Sequence, residues 1–248
     1  MPNDGVPFYL KVDSVRVMDT NGQYMAHSIG DIWIEANADN VGAYGLPCSA
    51  PVLQQGAVRF ALSAGIKESG QSGVRVIYPF LTTDTFTLNA RTDTIYTVTP
   101  VFKYIEAATF AINESFNASN DFDGDSIIYL DAGNRCASIS INSTDSNVIM
   151  IDRTARDLPE GQEIWLEFDY KCDVPFFTGF YGYKDGQTAR VDVLFLNANT
   201  AWNHGYIKLS NIVGGVRADT YKIFFEALRP YGTTSGTVYI DNVKLVHF

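Results

Sequence analysis

The 248-residue chain has little of what catalytic and nucleic-acid-binding proteins rely on. It holds three cysteines, Cys48, Cys136 and Cys172, with no Cys-x-x-Cys pair and no histidine at zinc spacing. A zinc finger and a dithiol redox motif are therefore excluded. Cys136 and Cys172 stay open between a cross-sandwich disulfide and two buried free thiols. The three histidines, His27, His204 and His247, are far apart, and no Gly-x-Ser-x-Gly elbow or Gly-rich phosphate loop is present. No triad or nucleotide cradle can be read from such a set, and no enzymatic activity is expected. Basic residues number 18 against 28 acidic ones, for a net charge of -10, and they form no stripe. An acidic chain repels phosphate backbones, so nucleic acid is not an expected partner. No apolar run reaches the ~18 residues of a membrane-spanning helix.

What is present is strand. Hydrophobic residues make up 46% and charged residues 19%, the balance of a chain that folds rather than stays disordered. Fourteen Tyr and sixteen Phe join many β-branched residues, which suits pleated sheet. Val58-Arg59-Phe60-Ala61-Leu62 and Ile164-Trp165-Leu166-Glu167-Phe168-Asp169-Tyr170 alternate with period two. Asn37-Ala38-Asp39-Asn40 reads as a hairpin turn, because Asn and Asp tolerate positive φ. In the second half strands are expected near 126–130, 137–142, 149–152, 164–171, 176–183, 189–196, 204–209, 220–228 and 237–246. Their spacing, broken by Gly and Asp turns, indicates antiparallel sandwiches. No amphipathic helix of three turns is found. The expected fold class is all-β with two β-sandwich domains, residues 1–104 and 105–248.

Two resemblances refine this. Ile32-Trp33-Ile34, Asn40-Val41-Gly42, Leu46-Pro47, Pro51-Val52-Leu53 and Gly56, followed by Val58, Phe60 and Leu62, resemble PEGA-type surface domains. With Ala64-Gly65-Ile66-Lys67 and Tyr78-Pro79-Phe80, the block is similar to the N-terminal half of Bacteroidota outer-membrane lipoproteins. That likeness implies a lipid-anchored protein on the cell surface, a scaffold or accessory subunit of an outer-membrane complex. Its partners would be an outer-membrane β-barrel or other surface lipoproteins, with membrane contact through the lipid anchor alone. Met1-Pro2-Asn3-Asp4-Gly5 reads as the polar start of a mature chain after removal of an export signal.

Trp202-Asn203-His204-Gly205-Tyr206-Ile207-Lys208-Leu209 and Val238-Tyr239-Ile240-Asp241-Asn242-Val243-Lys244-Leu245 resemble strands of the galactose-binding-like jelly roll used by carbohydrate-binding modules. This likeness makes the second domain a jelly roll and offers a second function, glycan binding. It also implies an optional structural calcium between an acid near the domain start, matched here by Glu114, and the closing-strand acid, Asp241. No cofactor is required.

Asn120-Asp121-Phe122-Asp123-Gly124-Asp125 is the densest acidic cluster, either an irregular calcium loop or a solvated turn; Ser126 and Ala132 at the sixth and twelfth positions exclude an EF-hand. Pro175-Phe176-Phe177-Thr178-Gly179-Phe180-Tyr181-Gly182-Tyr183 is the richest aromatic run. Alternation puts Phe177, Tyr181 and Tyr183 on one face and Phe176, Thr178, Phe180 and Gly182 on the other. Core packing on both faces is the plainer expectation; an exposed face would stack on sugars. Trp33, which points away from Ile32 and Ile34, is the tryptophan expected at the surface. Trp165 and Trp202 read as packing residues. The candidate ligand-binding residues are thus Trp33, Phe177, Tyr181 and Tyr183.

Overall fold

The computed structural model describes residues 5–19, 22–25, 27–71, 73–118, 120–124, 126–129 and 134–248, the side chains of 126–129 excepted. Residues 1–4 and Asp125, which carry parts of two motifs above, lie outside that set. The fold is all-β, in two compact units, Met1–Ala108 and Thr109–Phe248. The division falls four residues beyond Tyr104. Tyr104 bridges Leu81, the Ile105 N–H donates to the Phe80 carbonyl, and the Ala108 N–H donates to that of Ile105. These bonds tie the connecting turn to the first unit.

The first unit contains β1 (Phe8–Val12), β2 (Arg16–Met18), β3 (Tyr24–Met25), β4 (Asp31–Ala36), β5 (Asp39–Gly45), β6 (Cys48–Val52), β7 (Gly56–Lys67), β8 (Arg75–Ile77), β9 (Asp84–Ala90), β10 (Ile95–Val98) and β11 (Val101–Lys103). They form sheets in the orders β10-β1-β6, β11-β2-β3 and β5-β4-β7-β8, with β9 also on β7. The turn between β4 and β5 runs through Asn37 and Ala38, both at positive φ, a conformation that Asn tolerates readily. Phe8, Leu10, Ile32, Ile34, Phe60 and Leu62 are buried, one face of each alternating strand.

The second unit contains β12 (Thr109–Glu114), β13 (Phe122–Asp123), β14 (Ser126–Tyr129), β15 (Arg135–Ile141), β16 (Asn147–Asp152), β17 (Ile164–Cys172), β18 (Phe176–Lys184), β19 (Gln187–Leu196), β20 (Asn199–Lys208), a two-turn helix α1 (Ser210–Val216), β21 (Thr220–Leu228) and β22 (Gly236–His247). Sheet one has the order β14-β15-β22-β17-β20, with β12 also on β22; sheet two has the order β13-β16-β21-β18-β19. Every strand pairing in this unit is antiparallel. The core between the sheets takes Leu166, Phe168, Ile207, Val238, Ile240, Val243 and Leu245 from the first, and Met150, Phe176, Phe180, Ile223 and Phe225 from the second. This is the jelly-roll sandwich that the closing-strand pattern implies.

All three cysteines are free. Cys172 faces the core, whereas Cys136 neighbours Asp241 and Lys171 on the other side of sheet one. Side chains on opposite faces of one sheet cannot be bridged, so the thiol reading holds.

Candidate functional site

Alternation along β18 sends Phe176 and Phe180 into the core and leaves Phe177, Tyr181 and Tyr183 half-buried on the outer face of sheet two. The three lie along one strand; Phe177 to Tyr183 spans about 20 Å at strand rise. Neighbouring strands complete the face. On β19, Arg190 stands opposite Tyr181, Thr188 opposite Tyr183 and Phe195 opposite Phe177. On β21, Glu226 stands opposite Phe177, Phe224 opposite Gly179 and Lys222 opposite Tyr181.

The centre of the face is a charged cluster laid on aromatic rings. The Arg190 guanidinium sits 4.7 Å from the Phe224 ring centroid and 5.9 Å from that of Tyr181. Its Nη2 pairs with Glu226, and its Nε donates to Asp192 at 2.8 Å. The other Glu226 oxygen accepts from the Asn147 amide. Glu226 is buried and Asp192 is open to solvent. The hydrogen bond to Glu226, set against the cost of burial, pushes the Arg190 pKa above its ordinary value, so the cation is permanent. Tyr181 and Phe224 meet at 5.3 Å, and Phe177 meets the exposed Phe195 edge-on at 5.1 Å.

Gly179 makes this arrangement possible. A bulge between Thr178 and Gly179 shifts the register against β19. A Cβ on Gly179 would collide with the Val191 carbonyl and lie 3.0 Å from the Phe224 ring. Without it, the Phe224 ring lies against the strand and Arg190 passes above it. The outer face of sheet two therefore presents the half-buried Phe177, Tyr181 and Tyr183 and the exposed Phe195, with Arg190 and Asp192 among them, while Phe224 and Glu226 are buried.

Trp33 belongs to the first unit, half-buried on the outer side of β4. Its indole N–H is buried without a partner, and the indole packs at the Gly65 backbone, where a Cβ would stand 2.9 Å from Nε1. Glu114 and Asp241 come onto neighbouring strands. The two Glu114 oxygens accept the Phe116 and Asp121 backbone N–H groups at 2.6 and 2.9 Å. Asp241 accepts from the Asn242 backbone at 2.7 Å and the Asn134 amide at 3.3 Å. Donors of this kind solvate a carboxylate, whereas calcium needs about six to eight oxygens. Among the described residues no three His, Cys, Asp or Glu side chains gather as a metal site. In the acidic cluster, Asp121 and Asp123 are paired with Arg156 and Arg153 at 3.4 and 2.6 Å.

Sheet one carries a constellation that no sequence motif announced. His204 Nδ1 lies 2.6 Å from Asp169, whose other oxygen accepts from Asn242 at 2.7 Å. His204 Nε2 lies 3.5 Å from Glu167. Burial alone would lower the His204 pKa, but the two carboxylates outweigh it and raise it above 6.5. Asp241, directly across from Asp169, is pushed up to about 6, chiefly by burial.

No protein-family model matches this sequence, and no curated protein does. The PEGA-type likeness of the first block thus rests on its residues alone. Solved structures similar to this chain include the family 11 carbohydrate-binding module of Clostridium thermocellum in complex with a β-1,3-1,4-mixed-linked tetrasaccharide. It is 15% identical over 56% of this chain and 94% of that one, with a TM-score of 0.40. The family 30 carbohydrate-binding module of a cellulosomal cellulase of Clostridium thermocellum is 16% identical over 55% and 92%, at 0.40. The enzymatically active domain of tailspike protein 4 of bacteriophage CBA120 is 12% identical over 62% of this chain and 26% of that one, at 0.40.

Proposed function

We propose that the second unit is a non-catalytic glycan-binding module whose ligand lies along the outer face of sheet two. The observation that carries this reading is the row of Phe177, Tyr181, Tyr183 and Phe195 on the outer face beside Arg190 and Asp192, with the buried Phe224 and Glu226 holding Arg190 in place. A sugar ring presents an apolar C–H face and a rim of hydroxyls. Aromatic rings take the first, and rigid charged donors and acceptors take the second through strong hydrogen bonds. Arg190 is already matched by Asp192 and Glu226, and the Lys222 ammonium donates to the Arg153 carbonyl, so we take a neutral chain as the ligand. A row of rings about 20 Å long matches several consecutive sugars of a polysaccharide.

The accessory-subunit reading, with its lipid anchor and membrane partners, rests on sequence resemblance alone; no contact among the described residues adds to it. A glycan array followed by calorimetry on the best neutral polysaccharide tests the proposal. Tyr181→Ala and Arg190→Ala are each expected to weaken binding at least tenfold. The absence of any neutral glycan ligand, or affinity unchanged in both variants, would overturn it.

A further inference from the structure

We infer that sheet one carries a second, separate site on its own outer face, built from Trp202, Lys171 and Tyr239 and suited to an acidic sugar. Three adjacent strands supply it. Leu166, Phe168 and Cys172 of β17 face the core, so Lys171 faces outward with Asp169 and Glu167. Tyr239 of β22 is its cross-strand partner. Trp202 comes from β20, the edge strand, and is 40% exposed. The Lys171 ammonium sits 4.9 Å from the Tyr239 ring centroid and 5.5 Å from that of Trp202.

What distinguishes this trio is what its members leave unpaired. Lys171 makes no ion pair among the described residues. The indole N–H of Trp202 and the hydroxyl of Tyr239 have no hydrogen-bond partner there either. The neighbouring carboxylates have partners: Asp169 and Glu167 hold His204, and Asp241 accepts from the Asn134 amide and the Asn242 backbone. A half-exposed ammonium flanked by two rings, each with a free polar handle, meets the chemistry of a pyranose bearing a carboxylate or a sulfate. The exposed indole takes the apolar face of the sugar, the ammonium takes the anionic group, and the N–H and O–H reach its hydroxyls. This contrasts with the sheet-two face, where the arginine is saturated.

Affinity electrophoresis of the whole chain in gels containing polygalacturonate, dextran sulfate or a neutral β-glucan tests the inference. The net charge of -10 opposes non-specific retention by either polyanion. The expected result is retardation by polygalacturonate or dextran sulfate, the responsive gel identifying the carboxylate or the sulfate. Lys171→Met and Trp202→Ala should lose it at least tenfold, Lys171→Arg should keep it, and Tyr181→Ala should leave it unchanged. Circular dichroism and melting of each variant separate loss of binding from loss of fold. No retardation by either polyanion sinks the inference, as does retardation that survives both Lys171→Met and Trp202→Ala in folded protein. Loss in Tyr181→Ala as well would reassign the ligand to sheet two and overturn the second site while leaving the first.

Discussion

Arg190 and Glu226 form an ion pair although they are not on adjacent strands: Arg190 lies on β19, Glu226 on β21, and β18 runs between them. They are also out of row, since Arg190 is level with Tyr181 and Glu226 with Phe177. The arginine crosses the intervening strand diagonally, at the level of Gly179. Flanking strands are about 9–10 Å apart, a distance Arg spans only where nothing stands in its path.

Breaking that pair should separate stability from binding. In Arg190→Ala the buried Glu226 carboxylate keeps only Asn147, and the second unit should lose about 1–3 kcal/mol. The double variant Arg190→Met, Glu226→Gln removes both charges and keeps apolar contact with Phe224. It should recover most of the stability, read as the urea midpoint, while glycan affinity stays low. Recovery of both together would mean that the pair serves folding alone.

Gly179→Ala tests the crossing directly. The added methyl meets backbone, the Val191 carbonyl, which cannot swing aside, and the Phe224 ring behind it. Overpacking of this kind costs about 1–3 kcal/mol. We expect a lower melting temperature and displacement of Arg190, seen as loss of its Nε resonance shift by NMR. Gly214, in α1 with open space around it and no positive φ, is a suitable comparison.

The strand positions of the second unit are close to readable because its core alternates strictly. Phe176/Phe180 against Phe177/Tyr181/Tyr183 falls out of period two, and the structure keeps that division. The charged half of the face was missed. Its signals were present: Thr188, Arg190 and Asp192 alternate with Ala189, Val191 and Val193, and Glu226 interrupts the apolar run Ile223–Ala227. Neither signal has meaning until β18 is seen to lie between β19 and β21, which is long-range pairing and absent from local pattern. Trp202 shows the opposite error. Its position reads as packing before a strand, yet it lies within β20 and is exposed; among the described residues β20 is an edge strand, paired with β17. The His204–Asp169–Glu167 cluster spans 37 residues of sequence and was likewise invisible to spacing.

The cysteines should behave as three thiols. Cys136 and Cys172 are buried, and burial, with Asp241 nearby, pushes the Cys136 thiol up to about 11. The thiolate is the reactive form, so modification at pH 8 should be slow in the native state and complete for all three in denaturant. Intact mass without reductant should show no loss of two hydrogens, and reductant should not lower the melting temperature. A mass two units low would contradict the opposite facing of the two side chains.

The outer face of sheet one should make the second unit more stable in mild acid than in mild alkali. Asp241 titrates at about 6 in the folded chain against an ordinary 3.8, so folding favours its protonated form. Its contribution is complete below pH 3.8 and is lost as pH rises towards 6, a difference of roughly 2–3 kcal/mol. His204 has its pKa raised above 6.5 by Asp169 and Glu167. Its contribution is complete below 6.5 and is lost as pH rises through the folded value. Both signs point the same way, in successive windows. Urea unfolding followed by fluorescence in a Trp33→Phe background reports on Trp165 and Trp202, both in this unit. Asp241→Asn should be more stable than wild type at pH 7 and indistinguishable from it near pH 3.5. His204→Gln should cost more at pH 5.5 than at pH 9. A wild-type profile flat from pH 4 to 9 would show that neither group is held as its buried partners require.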